Sequence, residues 1–340
     1  MVDKYNAGDV AEGIFTLACV TRFIVRDEKI KQSDMQAVLD TVIAAKGRTT
    51  QDTLKCSWLA PNLNPSIKDK INLTIRLAAS NMNALLHENI FSQQNIKSIV
   101  AASLHYVNSE TLTNTANLIY TNNQENVLDF VADGIGDQKG TKRDMFVKII
   151  GPNGKSELNL SISLKAGDVK QFGQIGGSQP EKQQALWEQF GFDMPTGILN
   201  KYSKLYAAGK LNDAIVCSYT ELAKTISSAH NYNASGKSIP RKTLKASIIH
   251  FMIGKEEDIE LVQLNRESKI YNPNKLEFPK PITAKLKPSG AWPEIIIETK
   301  DLKNKTVDVL RIRTKIENRT QYIRNYIEKG PDLHSMQTGL

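Results

Sequence analysis

Asp144 and Lys165 are the residues whose types and places in the chain could do chemistry together. Asp144 opens an apolar stretch that runs to Ile150, and Ser163, Leu164 and Lys165 close a second stretch that begins at Glu157. Between the two lies Gly151-Pro152-Asn153-Gly154, a tight-turn sequence, so the spacing predicts an antiparallel hairpin. In a hairpin the beginning of one strand lies beside the end of the other, and a carboxylate and an ammonium 21 positions apart converge. A carboxylate binds a hard cation, and a neighbouring lysine can hold a phosphate or the attacking water. Magnesium commonly uses one or two protein carboxylates and completes its octahedron with water and phosphate oxygens, so a sparse ligand set suffices. Along the second strand Leu158, Leu160, Ile162 and Leu164 alternate with Glu157, Asn159, Ser161, Ser163 and Lys165. The first set predicts a core face and the second a face available for chemistry.

Other chemistries have weaker support. Gly154-Lys155-Ser156 lacks the glycine a P-loop needs five positions earlier, where Ile149 stands. Gly134, Gly136 and Gly140 miss the dinucleotide-binding spacing by one residue. The histidines at 87, 105, 230, 250 and 334 form no HExxH or HxH group, which argues against zinc chemistry and leaves open only a triad assembled in space. Plain structural roles stand beside the catalytic ones. Asp144 has the alternative of a strand-edge charge and Lys165 that of a surface lysine before a turn, both less favoured than the catalytic reading, whereas Glu12 reads equally as the third residue of a capping box begun by Asp9.

The stretch 126–176, together with Glu12, resembles the PD-(D/E)xK nuclease superfamily, the restriction-endonuclease-like fold. In that family an acid on the second core strand and an acid-x-lysine on the third form a metal site, often joined by a glutamate from the first core helix. Asp144 matches the first position and Lys165 the lysine, whereas Ser163 stands where the family has Asp or Glu. The resemblance implies that Glu12 supplies the missing charge, since Glu157 lies about 26 Å along the strand from Lys165. It implies Asp144 and Glu12 as ligands of Mg2+, or Mn2+, with the Leu164 carbonyl as a third, and Lys165 as the group that positions the water. Ser163, Gln171 and Gln174 would then face the substrate. The implied activity is hydrolysis of DNA phosphodiester bonds, with endonucleolytic cutting favoured, RNA as another substrate and a homodimer as a further expectation. The alternative is a nucleic-acid-binding or assembly protein on a nuclease scaffold that does not cleave. Ala132-Asp133-Gly134, the run from Gly140 to Asp144 and the run from Ser163 to Gly167 also look like phage or mobile-element nucleases.

The elements that must position these residues form an α/β (α+β) pattern: a mixed sheet flanked by helices, then a smaller strand-rich C-terminal domain. Asp9 with Glu12, and Ser33 with Gln36, mark two N-terminal helices. Alternation predicts a strand over 69–78, helices over 94–120, and strands over 127–133, 144–150 and 157–165. Helices follow at 180–192, 197–209 and 211–229, with Trp187, Phe190 and Phe192 as core. A polar stretch at 231–240 reads as a linker, placing a domain boundary at 235/236. Strands are expected at 245–254, 259–264, 282–286, 294–299 and 307–313, with a closing helix at 317–328.

The 340 residues carry 40% hydrophobic and 24% charged side chains, an ordinary globular balance that excludes wholesale disorder, collagen-like repeats and a coiled coil. Cys19, Cys56 and Cys217 are too few and too scattered for a disulfide framework or zinc ribbon, which leads to the expectation of an intracellular, cytoplasmic setting, or a host cytoplasm for a phage protein. Neither a signal peptide nor a membrane span is expected. The net charge is +8, and residues 241–340, with 19 basic and 13 acidic side chains, hold +6 of it. There Arg311, Arg313 and Lys315 alternate and share one strand face, either a solvated surface or a track for phosphates.

Overall fold

The computed structural model describes residues 7–25, 28–46, 53–55, 71–87, 89–121, 126–132, 143–150, 156–166, 171–229, 241–253, 259–265, 267–287, 293–317 and 322–330. The predicted turn at 151–154, the linker at 231–240 and the glycines at 134, 136 and 140 lie outside these residues. Nine α-helices occur among them: α1 (Ala7–Ile24), α2 (Gln32–Lys46), α3 (Ala79–Leu85), α4 (Lys97–Val107), α5 (Glu110–Thr121), α6 (Pro180–Gln189), α7 (Thr196–Ala207), α8 (Leu211–Ser228) and α9 (Arg241–Ile253). The strands are β1 (Thr53–Lys55), β2 (Ile71–Leu77), β3 (Asn126–Ala132), β4 (Met145–Ile150), β5 (Ser156–Ala166), β6 (Gln171–Gly176), β7 (Ile259–Asn265), β8 (Glu267–Tyr271), β9 (Thr283–Lys287), β10 (Glu294–Lys300), β11 (Thr306–Glu317) and β12 (Tyr322–Lys329).

Two compact units divide the chain. The first comprises Met1–Val169 and Asp258–Ile270, the second Lys170–Glu257 and Tyr271–Leu340. The division therefore falls at 169/170, with a return to the first unit at 258, and not at 235/236. Helices α6 to α8 build on the C-terminal strands, and β7 goes back to pair with β5.

The first unit is mixed α/β, with a mixed sheet and helices, as the sequence pattern predicts. Its seven-stranded sheet has the order β1-β2-β3-β4-β5-β7-β8. Strands β3, β4 and β5 form an antiparallel meander, while β2 joins β3 and β7 joins β5 in parallel. Met145 pairs with Ile162 and Val147 with Leu160, so the alternating apolar residues of both strands share a face. Helix α1 is buried along its whole length from Asp9 to Ile24, as a helix enclosed on all sides is, and it takes Asp9, Glu12 and Arg22 into the interior with its apolar residues. The Thr16 hydroxyl donates to Met145 Sδ at 3.3 Å, which places α1 over the Met145 face of the sheet. Phe15 packs on Tyr106 of α4 with ring centroids 4.9 Å apart, and the Tyr106 hydroxyl donates to Glu260 of β7 at 2.9 Å.

Helix caps differ from the sequence-based expectation. Asp9 lies inside the first turn of α1, where a negative charge favours the helix dipole, and is not the cap. At α2 the Asp34 carboxylate accepts from the Lys31 amide at 2.7 Å, taking the reach-back role expected of Gln36.

The second unit holds an antiparallel sheet of order β6-β12-β11-β10-β9. One face packs on helices: the Tyr219 hydroxyl of α8 bonds Thr314 at 2.7 Å and Asn325 at 2.9 Å, all three buried. Trp187 and Phe190 are fully buried and Phe192 nearly so, as expected for core residues. Two elements have the opposite type from the one expected. Within the expected strand 245–254, the described residues 245–253 are helical because Leu244, Ile248, Phe251 and Met252, all buried, recur at helical spacing. Residues 322–329 form a strand because Ile323, Asn325 and Ile327 alternate inward while Tyr322, Arg324 and Tyr326 face out.

Among the described residues no helix is long and apolar enough to cross a membrane.

Candidate active site

Asp144 sits one residue before β4, and its amide donates to the Ile162 carbonyl at 2.9 Å, carrying the ladder just past the end of the strand. One residue further along β5 the Leu164 N–H finds the Asp144 side chain, whose Oδ2 accepts it at 2.6 Å. The carboxylate thus stands where the next backbone carbonyl of the ladder would be. The same oxygen accepts from Ser163 Oγ at 3.0 Å and lies 3.7 Å from Lys165 Nζ. Asp144 and Lys165 remain about a quarter exposed, at 27% and 21% of their side chains, so the pair faces solvent from the mouth of a buried strand. Ser161 and Ser163 are buried, which corrects the expectation that their whole face is open; of the described residues on it, Asn159 and Lys165 on either side of the serines are accessible.

An N–H and a C=O of one strand residue point to the same side of the strand. The Leu164 carbonyl therefore leaves β5 on the side where Leu164 N–H meets Asp144.

Glu12 arrives from α1, one turn before Thr16 and on the same side of the helix. It is 9% exposed, and burial pushes its carboxyl up to about 8. A hydrogen bond from Asn81 and the charge of Lys165 pull it down, whereas the negative charges of Asp144 and Asp9 add to the rise. Glu12 is therefore within electrostatic reach of both members of the strand pair. Asp9 is also raised by burial, offset by a hydrogen bond from Ser80.

Asn81, fully buried on α3, holds Glu12 in place. Its Nδ2 donates to Glu12 Oε2 at 2.8 Å and to the Asp9 carbonyl at 3.0 Å, tying α3 to the first turns of α1. Gly13 makes this approach possible. A Cβ there would lie 3.1 Å from both the Asn81 carbonyl and Leu85 Cγ, tighter than side chains ordinarily pack. Asn81 and Asp9 were not legible as site residues: one is a polar residue in a short helix, and the other reads as a cap.

The donors suit a hard cation. Asp144 Oδ1 accepts no hydrogen bond from the described residues, and Glu12 and the Leu164 carbonyl add further oxygens. Asp9 Oδ1 and Asn81 Oδ1 are buried without a partner among the described residues. No three of the described His, Cys, Asp and Glu side chains group closely enough to hold an ion by themselves. The set available is two carboxylates and a carbonyl, within what magnesium commonly takes from a protein.

The remaining candidates lie in the second unit. Gln171 and Gln174 are on β6, paired with Glu328 and Tyr326 of β12, and their side chains lie outside the described residues. Arg311, Arg313 and Lys315 do share one face of β11, but register brings acids beside them. Arg311 pairs with Asp308 and, at 3.6 Å, with Glu294; Arg313 pairs with Glu328 at 2.8 Å. The stripe is a mixed-charge ladder at the Arg311 end instead of a bare cationic track.

No protein-family profile matches the chain, and no curated protein matches it in sequence. Among solved structures the chain is similar to restriction endonuclease MspI, crystallised in complex with its cognate DNA. The identity is 8%, the match covers 58% of this chain and 69% of that one, and the TM-score is 0.27. Overlap at that level carries no argument about activity.

Proposed function

We propose that the chain is a metal-dependent nuclease that hydrolyses phosphodiester bonds in DNA. The observation that supports this reading is the convergence of Ser163 Oγ, Leu164 N–H and Lys165 Nζ on Asp144 Oδ2, with the buried Glu12 electrostatically coupled to the same group. Asp144, Glu12 and the Leu164 carbonyl would hold Mg2+, or Mn2+. When bound, the ion supplies Lewis acidity and neutralises charge at the phosphate.

The protein's own residues do the rest. Ser163 and Leu164 N–H fix the Asp144 carboxylate by bonding one oxygen, which turns the other outward. Lys165 carries its positive charge at the solvent-facing mouth, where it can orient a phosphate oxygen or the attacking water. Glu12, raised by burial, holds a proton at neutral pH when no cation is near and gives it up when one is. A buried acid whose charge is opposed by a neighbouring carboxylate makes a site that favours a cation.

Lys165→Ala is the test. The variant is expected to keep the fold, since Lys165 is a partly exposed strand-end residue, and to lose Mg2+- or Mn2+-dependent cleavage of linear and circular DNA. Unchanged metal-dependent cleavage would remove the assignment, and an RNA arm under the same conditions decides the substrate. Ser163 favours a second reading, binding without cleavage, because a buried hydroxyl that donates to Asp144 brings no charge of its own. Wild-type protein that binds DNA but leaves it intact in both metals would support that reading.

A further inference from the structure

Where α1 meets α3, two buried oxygens face no donor among the described residues: Asp9 Oδ1 and Asn81 Oδ1. Asp9 is 9% exposed and Asn81 is fully buried. Both atoms are acceptors, so an ionised Asp9 and the amide cannot satisfy each other, and a buried acceptor without a donor is costly. Turning the Asn81 amide over does not help. Its Nδ2 already donates to the Asp9 carbonyl at 3.0 Å and to Glu12 Oε2 at 2.8 Å, and the reversed amide would set an oxygen against that carbonyl.

The two oxygens belong to one small neighbourhood. The bond to the Asp9 carbonyl brings the Asn81 amide beside Asp9, and Ser80, next to Asn81 on α3, hydrogen-bonds the Asp9 side chain. The influences on Asp9 are burial and that bond, with no basic side chain among them. The first turn of α1 offers it the helix dipole, equivalent to roughly half an elementary charge and short of a full counter-charge. A cation answers both needs, since it takes lone pairs from two oxygens and balances the carboxylate. Magnesium fits poorly, because it keeps several waters and dehydrates reluctantly, and these oxygens are closed to water. An alkali-metal ion exchanges its hydration shell for protein oxygens, as potassium does in a carbonyl-lined filter, and its single charge matches that of Asp9.

We propose that Asp9 Oδ1 and Asn81 Oδ1 bind a dehydrated alkali-metal cation, Na+ or K+, between α1 and α3. This ion is separate from the one assigned to Asp144, and its site does not depend on the nuclease reading.

The full-length protein is melted in EDTA at neutral pH, in NaCl, KCl or choline chloride of equal ionic strength. Divalent ions are then absent, screening is the same in all three salts, and choline is too large to enter. The midpoint is expected to rise with Na+ or K+ and to stand above that in choline. Beyond the dissociation constant, each tenfold increase in the ion should multiply the folded-to-unfolded ratio about tenfold. Asp9→Asn keeps the shape and the oxygen but removes the charge, and it is expected to lose the difference between salts. Asn81→Ala, which removes the second oxygen, is expected to lose it as well, so the place of the ion is tested even where one variant does not fold. Asp144→Asn is expected to keep the difference. Equal midpoints of the wild type in the three salts, as a bridging water would give, overturn the proposal. So do an undiminished response in Asp9→Asn and a response lost in Asp144→Asn. A Lys165→Ala variant that cleaves normally would sink the nuclease assignment while leaving this result intact.

Discussion

Replacing Glu12 by glutamine isolates the charge that the fold hides. In the native protein burial pushes the Glu12 carboxyl up to about 8, against 4.5 for a solvated glutamate in the unfolded chain. Between those values the folded state keeps a proton that the unfolded state has lost. Stability from this group is therefore fully present below pH 4.5, declines as pH rises, and is gone above about pH 8. A displacement of that size corresponds to at most about 5 kcal/mol, an upper bound because local opening lets water relieve the buried charge. Glutamine preserves the shape and an acceptor for Asn81 but cannot ionise. Urea unfolding from pH 4 to 9 in EDTA should show wild type losing up to about 5 kcal/mol that the variant retains, the difference emerging above pH 4.5. Titration with calcium at pH 7 in buffers of different ionisation enthalpy should then release roughly nine-tenths of a proton per ion from wild type and none from the variant. Superimposable pH profiles for the two proteins would refute both the burial argument and the place of Glu12 beside a cation.

Asn81→Ala leaves Glu12 Oε2 and the Asp9 carbonyl without their shared donor, at a cost of about 1–3 kcal/mol in urea unfolding. Because the lost bond holds the Glu12 carboxyl down, the pH window of proton release should also move upward, which calorimetry at successive pH values would detect. Gly13→Ala adds helix propensity against a tight contact, whereas Gly13→Val adds two further methyl groups where no room exists. The valine variant should be less stable than the alanine one by about 1–3 kcal/mol, and equal melting curves would argue against the close α1–α3 approach.

Local pattern revealed the hairpin and hid what depends on register. The alternation through β4 and β5 was enough to bring Asp144 beside Ser163, Leu164 and Lys165, because antiparallel geometry leaves a short connection few other choices. The alternate cations of β11 were equally visible. Their neutralisation was not, since Glu294 and Glu328 reach them only through the pairing of β10 and β12. Residues 245–253 and 322–328 have the type opposite to the one expected for one reason: short apolar runs satisfy both periods until burial shows which positions point inward. Asn81 could not be found by spacing, because its importance rests on how closely a glycine lets two helices approach. The return of the chain at β7 was hidden too, because a parallel partner so far along the sequence from β5 leaves no nearby signal.

That return has a practical consequence for dissecting the protein. A fragment ending at residue 169 would forfeit β7 and β8 and strip the outer neighbour from the strand that carries Lys165. Its bare hydrogen-bonding groups would offer a template for other chains beside Lys165. Excising 170–257 and replacing it with a linker of at least about a dozen residues, long enough to cross back to the start of the parallel strand β7, would keep the strand covered and is the sounder route to isolating the first unit.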